Sequence, residues 1–277
     1  MTIVVTGATG KFGRHAIESL LAKGVPAAEI VGVGRQLDKI ADLGVPTKYA
    51  DYDDIDSLIA AFAGADKVLF VSGSEPGTRI PQHTNVVNAL KKAGVSLVVY
   101  TSAPKATTSD MILASEHSAT EKLLTESGLP YVFLRNGWYI ENYNVEQALA
   151  HGLFGASGEG KISGATRADL AEAAASVLVG EGHEGQVYEL GGEPFTLAEL
   201  AAEIASQSGK PVTYTNLSPS AYVDMLVGVG LPQGFAEVLA DSDRAAASGA
   251  LEVPRTDLEK LLGRPATPLA TAIRAAL

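Results

Sequence analysis

The chain of 277 residues contains no cysteine. That absence excludes a disulfide framework, a thiolate nucleophile and a cysteine-ligated zinc, and it suits a reducing cytoplasm. Basic residues are the minority. The 21 Lys and Arg stand against 32 Asp and Glu, a formal net charge of −11, so the long-range field repels nucleic acid and anionic membrane surfaces. Long apolar runs are missing as well: the first, Ile3-Val4-Val5, is cut by Gly7 and is too short for a signal segment or a membrane span. What is present, 46% hydrophobic and 19% charged residues, suits a cytoplasmic chain built as one large α/β domain or as such a domain with a smaller appendage. The expected partners are small molecules, with a homodimer left open and no metal site indicated.

Short β-branched runs alternate with amphipathic stretches from residue 3 to about residue 135, the sign of βαβ units and a mostly parallel sheet. The pattern predicts strands over Ile3–Thr6, Ile30–Val33, Thr47–Tyr49, Val68–Ser72, Leu97–Thr101 and Tyr131–Leu134. Phe12, Ala16, Ile17, Leu20 and Leu21 mark one helical face ended by Gly24, and Ile55, Leu58, Ile59 and Phe62 mark another, capped by Asp53 and stopped by Gly64. Val86, Ala89, Leu90 and Ala93 mark a third, terminated by Gly94. Past Arg135 the chain changes to an aromatic, Asn-rich stretch and then to Gly-rich turns up to Gly164, as in a lid or substrate segment. A helix from about Arg167 to Leu178 and a strand Val187–Leu190 return to the main sheet. Thr196-Leu197-Ala198-Glu199 is a capping box, and the remainder reads as small helices, one of them opening at Thr267-Pro268. The expected fold is a Rossmann doubly wound parallel sheet with a smaller C-terminal α/β lobe. Residues 1–139 with 165–194 form the dinucleotide-binding lobe in this reading, and 140–164 with 195–277 the substrate lobe.

The strongest motif is Thr6-Gly7-Ala8-Thr9-Gly10-Lys11-Phe12-Gly13, placed between the first strand and the first helix. Gly7 permits the tight turn, Gly10 lets backbone amides approach a pyrophosphate, and Gly13 allows close packing of helix on strand. Phosphates would then sit at a helix N-terminus, where unpaired amides and the helix dipole favour negative charge. The second strand ends Val33-Gly34-Arg35, with no carboxylate at its tip to hold the ribose hydroxyls of NAD. Arg35 stands about twenty positions beyond Gly13, where a guanidinium would take the 2′-phosphate of NADP(H) bidentately. Ser72-Gly73 and Thr101-Ser102 fall at the C-terminal ends of the fourth and fifth strands, where open α/β sheets bind ligands. They are candidates to line the ribose and nicotinamide, against a reading as ordinary turn residues.

Together with Asp51-Tyr52, Thr101-Ser102-Ala103 and Phe133-Leu134-Arg135-Asn136-Gly137-Trp138-Tyr139, the glycine loop makes the chain resemble the NmrA-like atypical short-chain dehydrogenases. The likeness is greatest to their bacterial quinone-reducing and triphenylmethane-reducing members. It implies a Rossmann lobe, a small C-terminal lobe and substrate in the cleft. Typical short-chain dehydrogenases carry Tyr-x-x-x-Lys on the helix after the fifth strand, and this chain does not. On that helix His117 and Glu121 stand at i and i+4. One reading makes His117 a proton donor or substrate contact oriented by Glu121, and the other makes the two a surface ion pair or a capped polar face. A ketone needs its developing alkoxide protonated, whereas a quinone or a cationic triarylmethane accepts hydride without help from an acid. The missing acid therefore narrows the substrates to strong hydride acceptors, held by proximity and orientation. Trp138, Tyr139 and Tyr143 are candidates to stack on such an acceptor, against a reading as plain packing. The sequence favours an NADPH-dependent quinone oxidoreductase-like reductase with no catalytic residue assigned. The alternative is a non-catalytic NADP(H)-binding redox sensor of the NmrA type. A nucleotide-sugar epimerase would need the absent Tyr and Lys.

Overall fold

The computed structural model describes residues 1–277. Its strands are β1 (Ile3–Val5), β2 (Ile30–Gly34), β3 (Thr47–Tyr49), β4 (Lys67–Phe70), β5 (Leu97–Ser102), β6 (Tyr131–Asn136), β7 (Leu153–Gly155), β8 (Val187–Leu190) and β9 (Tyr214–Asn216). The helices are α1 (Lys11–Ala22), α2 (Ile55–Phe62), α3 (Arg79–Ala93), α4 (Ile112–Ser127), α5 (Val145–His151), α6 (Arg167–Val179) and α7 (Leu197–Ser208). Four more follow: α8 (Pro219–Gly228), α9 (Gln233–Ala247), α10 (Thr256–Leu262) and α11 (Leu269–Ala276). None is long and apolar enough to cross a membrane.

Seven strands form one sheet in the order β3-β2-β1-β4-β5-β6-β8. The pairs from β3 to β6 are parallel, with Val5 opposite both Gly32 and Leu69. The bonds from Phe133 N–H to the Gln186 carbonyl and from Gly137 N–H to the Leu190 carbonyl advance together, so β8 continues the parallel sense. A parallel sheet needs both faces covered, which explains continuous apolar strands such as Ile3-Val4-Val5, all at most 1% exposed. Val4, Val68, Phe70, Val98 and Tyr100 point to one face and pack with Leu58 and Phe62 of α2, Val86 and Leu90 of α3, and Leu124 of α4. The alternate residues point to the other face, where α1 and α6 pack on each other. Burying each large apolar side chain in these layers contributes about 2 kcal/mol. The strand order reverses between β1 and β4, and β1 runs directly into the glycine loop there.

The chain resolves into two compact units. The first comprises residues 1–102, 116–135 and 167–188. The second comprises 103–115, 136–166 and 189–277, so residues 103–115, 136–139, 165–166 and 189–194 group with it although the strand and helix alternation assigns them to the first. Its core gathers Leu197, Leu200 and Ile204 of α7, Ala245 and Ala246 of α9, Ile273 of α11, and Ile140, Val145, Ile162 and Phe195. It also holds a small parallel sheet, β7 with β9.

Several local expectations shift. The stretch 145–155 forms α5 and β7 instead of continuous turns, because Asn144 caps a helix by accepting the Gln147 N–H. The cap of α2 is Asp54, which accepts the Asp56 and Ser57 amides; Asp53 lies one residue too early and takes the Gln82 side chain instead. Strand β4 stops at Phe70 because the next two amides leave the ladder, Val71 N–H going to Thr6 Oγ1 and Ser72 N–H to Thr101 Oγ1. Pro268 is the cap of α11, one position before the first helical residue. The Thr196–Glu199 capping box forms in full.

Candidate functional site

The turn from β1 to α1 is built by what its residues lack. Gly7 has φ +59°, a conformation that favours glycine. A Cβ on Gly13 would lie 2.4 Å from the Gly7 carbonyl oxygen and 2.8 Å from Ala8 Cα, so only glycine lets α1 begin this close to the strand. The Ala8 N–H bonds to the Val33 carbonyl and the Gly10 N–H to that of Gly7, which closes the turn. The N–H groups of Thr9 and Lys11 have no partner within the chain. Gly10 caps α1 without a side chain, and no acidic residue stands in the first helical turn. Free donors, the positive end of the helix dipole and the exposed Lys11 together form a cradle for anionic oxygens. Ala8 and Phe12 are buried beneath it.

Arg35 follows β2 with its side chain 62% exposed, its guanidinium 3.9 Å from Asp51 Oδ2. Such a loose, solvated pair leaves the cation available to a phosphate. Gly34 has no side chain where one would meet Thr9 Cγ2 at 2.9 Å, so Thr9 lies over the strand end beside Arg35.

The C-terminal ends of β4 and β5 are tied down by side chains. Thr101 Oγ1 accepts the Ser72 N–H at 2.9 Å, and the Gly73 N–H donates to His83 Nε2 at 3.0 Å. Arg79 Nε donates to the Gly73 carbonyl at 2.6 Å, and its Nη1 pairs with Glu116 Oε2 at 2.7 Å. Behind them the buried Tyr52 hydroxyl bridges Thr6 and the Val71 carbonyl. Desolvation raises the Tyr52 phenol, which stays protonated.

Helix α4 supplies the rest. Glu116, His117, Thr120 and Glu121 lie on one face and are all at most 9% exposed. Their partners are the strand ends and α3. Tyr100 shares a 2.8 Å hydrogen bond with His117 Nδ1. Ser102 Oγ donates to Glu121 Oε1 at 2.6 Å, and Arg135 grips the same carboxylate with Nε at 2.9 Å and Nη2 at 2.7 Å. The expected pairing of His117 with Glu121 does not form, since both are engaged elsewhere, and neither is a surface residue. Burial first, then Arg79, hold His117 well below the ordinary histidine range, so it is a neutral imidazole at physiological pH.

In the second unit Trp138 and Tyr143 pack against the core, and the Tyr143 ring meets Phe195 edge-on with centroids 6.3 Å apart. The Tyr139 hydroxyl accepts from Asn136 Nδ2 at 3.4 Å. Two polar atoms there are buried without a partner, Asn136 Oδ1 and the Tyr143 hydroxyl. The structure thus places Gly7 through Phe12, Arg35, Ser72, Gly73, Thr101, Ser102 and His117 in the first unit, and Trp138, Tyr139 and Tyr143 in the second.

The family model described as NAD(P)H-binding matches residues 7–180, which spans the glycine turn, Arg35 and all four strand-end residues. This chain belongs to that family. Quinone oxidoreductase 2 of Escherichia coli strain K12 is 51% identical over 278 residues, covering 98% of this chain and 97% of that one. A crystal structure of the E. coli NADPH-dependent quinone oxidoreductase complexed with NADPH superposes with a TM-score of 0.94 at 49% identity, over 99% of each chain. The Citrobacter sp. triphenylmethane reductase complexed with NADP(H) gives 0.93 at 38% identity over 100% of each. The NmrA-like resemblance and the Rossmann fold expected from sequence agree with these matches.

Sequence reasoning missed Arg79, His83 and Glu116. The spacings 79/83 and 116/120 are helical i and i+4 pairs, but nothing in them distinguishes a buried polar face from a solvated one.

Proposed function

We propose that this protein is an NADPH-dependent oxidoreductase that transfers hydride to quinones or similarly strong hydride acceptors. The single observation that carries the reading is the uncapped N-terminus of α1 behind Gly13, two free amides wide, with the exposed guanidinium of Arg35 beyond it. The residues fit a phosphorylated dinucleotide: Gly7, Ala8, Thr9, Gly10, Lys11 and Phe12 hold the diphosphate, and Arg35 takes the 2′-phosphate. Ser72, Gly73, Thr101 and Ser102 line the ribose and nicotinamide. When bound, the nicotinamide supplies the hydride. The chain's own contribution is to fix the reacting plane. Acid catalysis has no candidate on α4, because His117 is neutral and buried and Glu121 is bound to Arg135 and Ser102. That suits an acceptor whose reduced form is a stabilised anion, which water can protonate. Similarity to the E. coli quinone oxidoreductase and the Citrobacter triphenylmethane reductase supports this acceptor class. Trp138, Tyr139 and Tyr143 are the proposed surface for a flat acceptor, and the protein works in the cytoplasm with a small molecule as its partner. Steady-state assays of NADPH oxidation with small benzoquinones test the reading. Turnover above the uncatalysed rate is expected, and tight NADPH binding without turnover would favour a sensor instead.

A further inference from the structure

Gly73, just past β4, has both of its backbone polar groups taken by buried side chains. Its N–H donates to His83 Nε2 at 3.0 Å and its carbonyl receives Arg79 Nε at 2.6 Å. Glu116 then fastens the segment at its far end, accepting the Gly77 N–H at 2.8 Å through Oε1 while Oε2 holds Arg79. The chemistry of His83 follows from counting protons. Nε2 accepts a hydrogen bond only when it carries no proton, so the proton of the neutral ring sits on Nδ1. Nδ1 faces Thr120 Oγ1 at 2.8 Å. The single Thr120 hydroxyl proton is committed to the Glu116 carbonyl at 2.9 Å, so this oxygen presents only lone pairs to the histidine. The other tautomer would set Nε2–H against the Gly73 N–H and leave Nδ1 without a donor.

We propose that His83 is a positioning residue for the bound cofactor, acting through the Gly73 peptide, and that Thr120 selects the tautomer that makes this possible. The proposal rests on the reading that Ser72 and Gly73 line the nicotinamide cofactor. His83 is fully buried, and its ring lies 4.8 Å from that of Phe70 and 5.8 Å from that of Tyr100, an aromatic wall that holds its orientation. Desolvation, with Arg79 nearby, lowers it to about 3, so the acceptor on Nε2 persists throughout the working pH range. A glycine held this way offers a flat, immobile peptide face, and a cofactor that lands on it orders no loop on arrival. Neither His83 nor Thr120 need touch the cofactor.

The test compares His83→Leu, His83→Gln and Thr120→Val with the wild type by NADPH fluorescence titration, steady-state kinetics with a benzoquinone, and thermal unfolding. Leucine leaves the Gly73 N–H without an acceptor, and the dissociation constant and KM for NADPH are expected to rise about tenfold. The quinone KM is expected to hold, with kcat at saturating NADPH within about twofold. Glutamine restores an acceptor at the Nε2 position and recovers most of the affinity. Thr120→Val removes no atom near Gly73 yet frees the tautomer, and gives a smaller defect of the same kind. Where the leucine variant does not fold, Thr120→Val decides. A folded His83→Leu or Thr120→Val protein with wild-type NADPH affinity overturns the proposal, and so does a glutamine variant as impaired as the leucine one. A wild-type protein that fails to bind NADPH overturns the cofactor reading beneath it.

Discussion

Adding one methyl group at Gly13 tests the central geometry. The new Cβ would lie 2.4 Å from the Gly7 carbonyl oxygen, 2.7 Å from its carbon and 2.8 Å from Ala8 Cα, where ordinary contact begins at 3.4 Å. All three neighbours are backbone, so no side chain can turn aside, and α1 must move by about 1 Å. Overpacking of this kind costs about 3 kcal/mol. For a chain of this length that corresponds to about 6 °C in Tm. The same movement would carry the amides of Thr9 and Lys11 away from the proposed diphosphate site, and a misplacement of that size costs about a hundredfold in binding or rate. Gly10→Ala is the internal control. Its Cβ meets only the Gly7 oxygen, at 3.3 Å, and its φ of −90° suits alanine, so the free protein should lose less than about 1 kcal/mol. NADPH affinity should nevertheless fall if the diphosphate lies on this turn as proposed, because the methyl group would then crowd it. Differential scanning calorimetry of the free proteins, paired with calorimetric NADPH titrations, separates the two effects. A Gly13→Ala protein that melts and binds like the wild type would refute the argument, and a Gly10→Ala protein with unchanged affinity would remove the phosphates from this turn.

Arg35→Ala should weaken NADPH binding about 10- to 100-fold while leaving NADH nearly unchanged, since a charge-assisted contact to the 2′-phosphate is lost; equal losses for both nucleotides in titrations would contradict the assignment. The Arg79–Glu116 pair, with side chains 7% and 12% exposed, predicts that Glu116→Gln costs about 3–5 kcal/mol in chemical denaturation. The Arg79→Met, Glu116→Leu double variant should lose less than the two single losses added together, although it also leaves the Gly73 carbonyl and the Gly77 N–H without their partners, and additive losses would argue against coupling. Asp243 is buried with one hydrogen bond, from the Ala156 N–H at 2.7 Å, and no basic partner; burial lifts its carboxyl from 3.8 to about 6. The native state therefore favours the protonated form. Its contribution is present below about pH 4 and is lost as the pH rises through about 6, a change of about 3 kcal/mol. Asp243→Asn should melt higher than the wild type at neutral pH and close the gap in acid, and parallel Tm profiles for the two proteins would rule this out.

The glycine loop was legible because each residue in it answers a local demand. Gly7 must turn and Gly13 must leave room, just as Gly94 outside the loop must end α3, whatever lies elsewhere in the chain. The strands were legible for a related reason, since a sheet covered on both faces writes itself as unbroken apolar runs such as Ile3-Val4-Val5 and Leu97-Val98-Val99. Helix α4 defeated the same approach. Glu116, His117, Thr120 and Glu121 have the composition of a wet surface, and they are buried because Arg79, Tyr100, His83, Ser102 and Arg135 arrive from distant parts of the chain to satisfy them. The end of β4 was misplaced for a comparable cause, the hydroxyls of Thr6 and Thr101 taking over amides that the ladder would otherwise use.

Order along the chain was enough to specify a nucleotide-binding α/β fold, the glycine turn proposed for the phosphates and the exposed cation proposed for the 2′-phosphate, because backbone sterics and charge at those positions act over a few residues. Which polar groups sit in the interior, which tautomer His83 holds and what fixes the peptide at Gly73 were settled only when strands and helices packed. Hydrogen-bond satisfaction in a dry interior depends on partners far apart in the chain, and no local pattern records them.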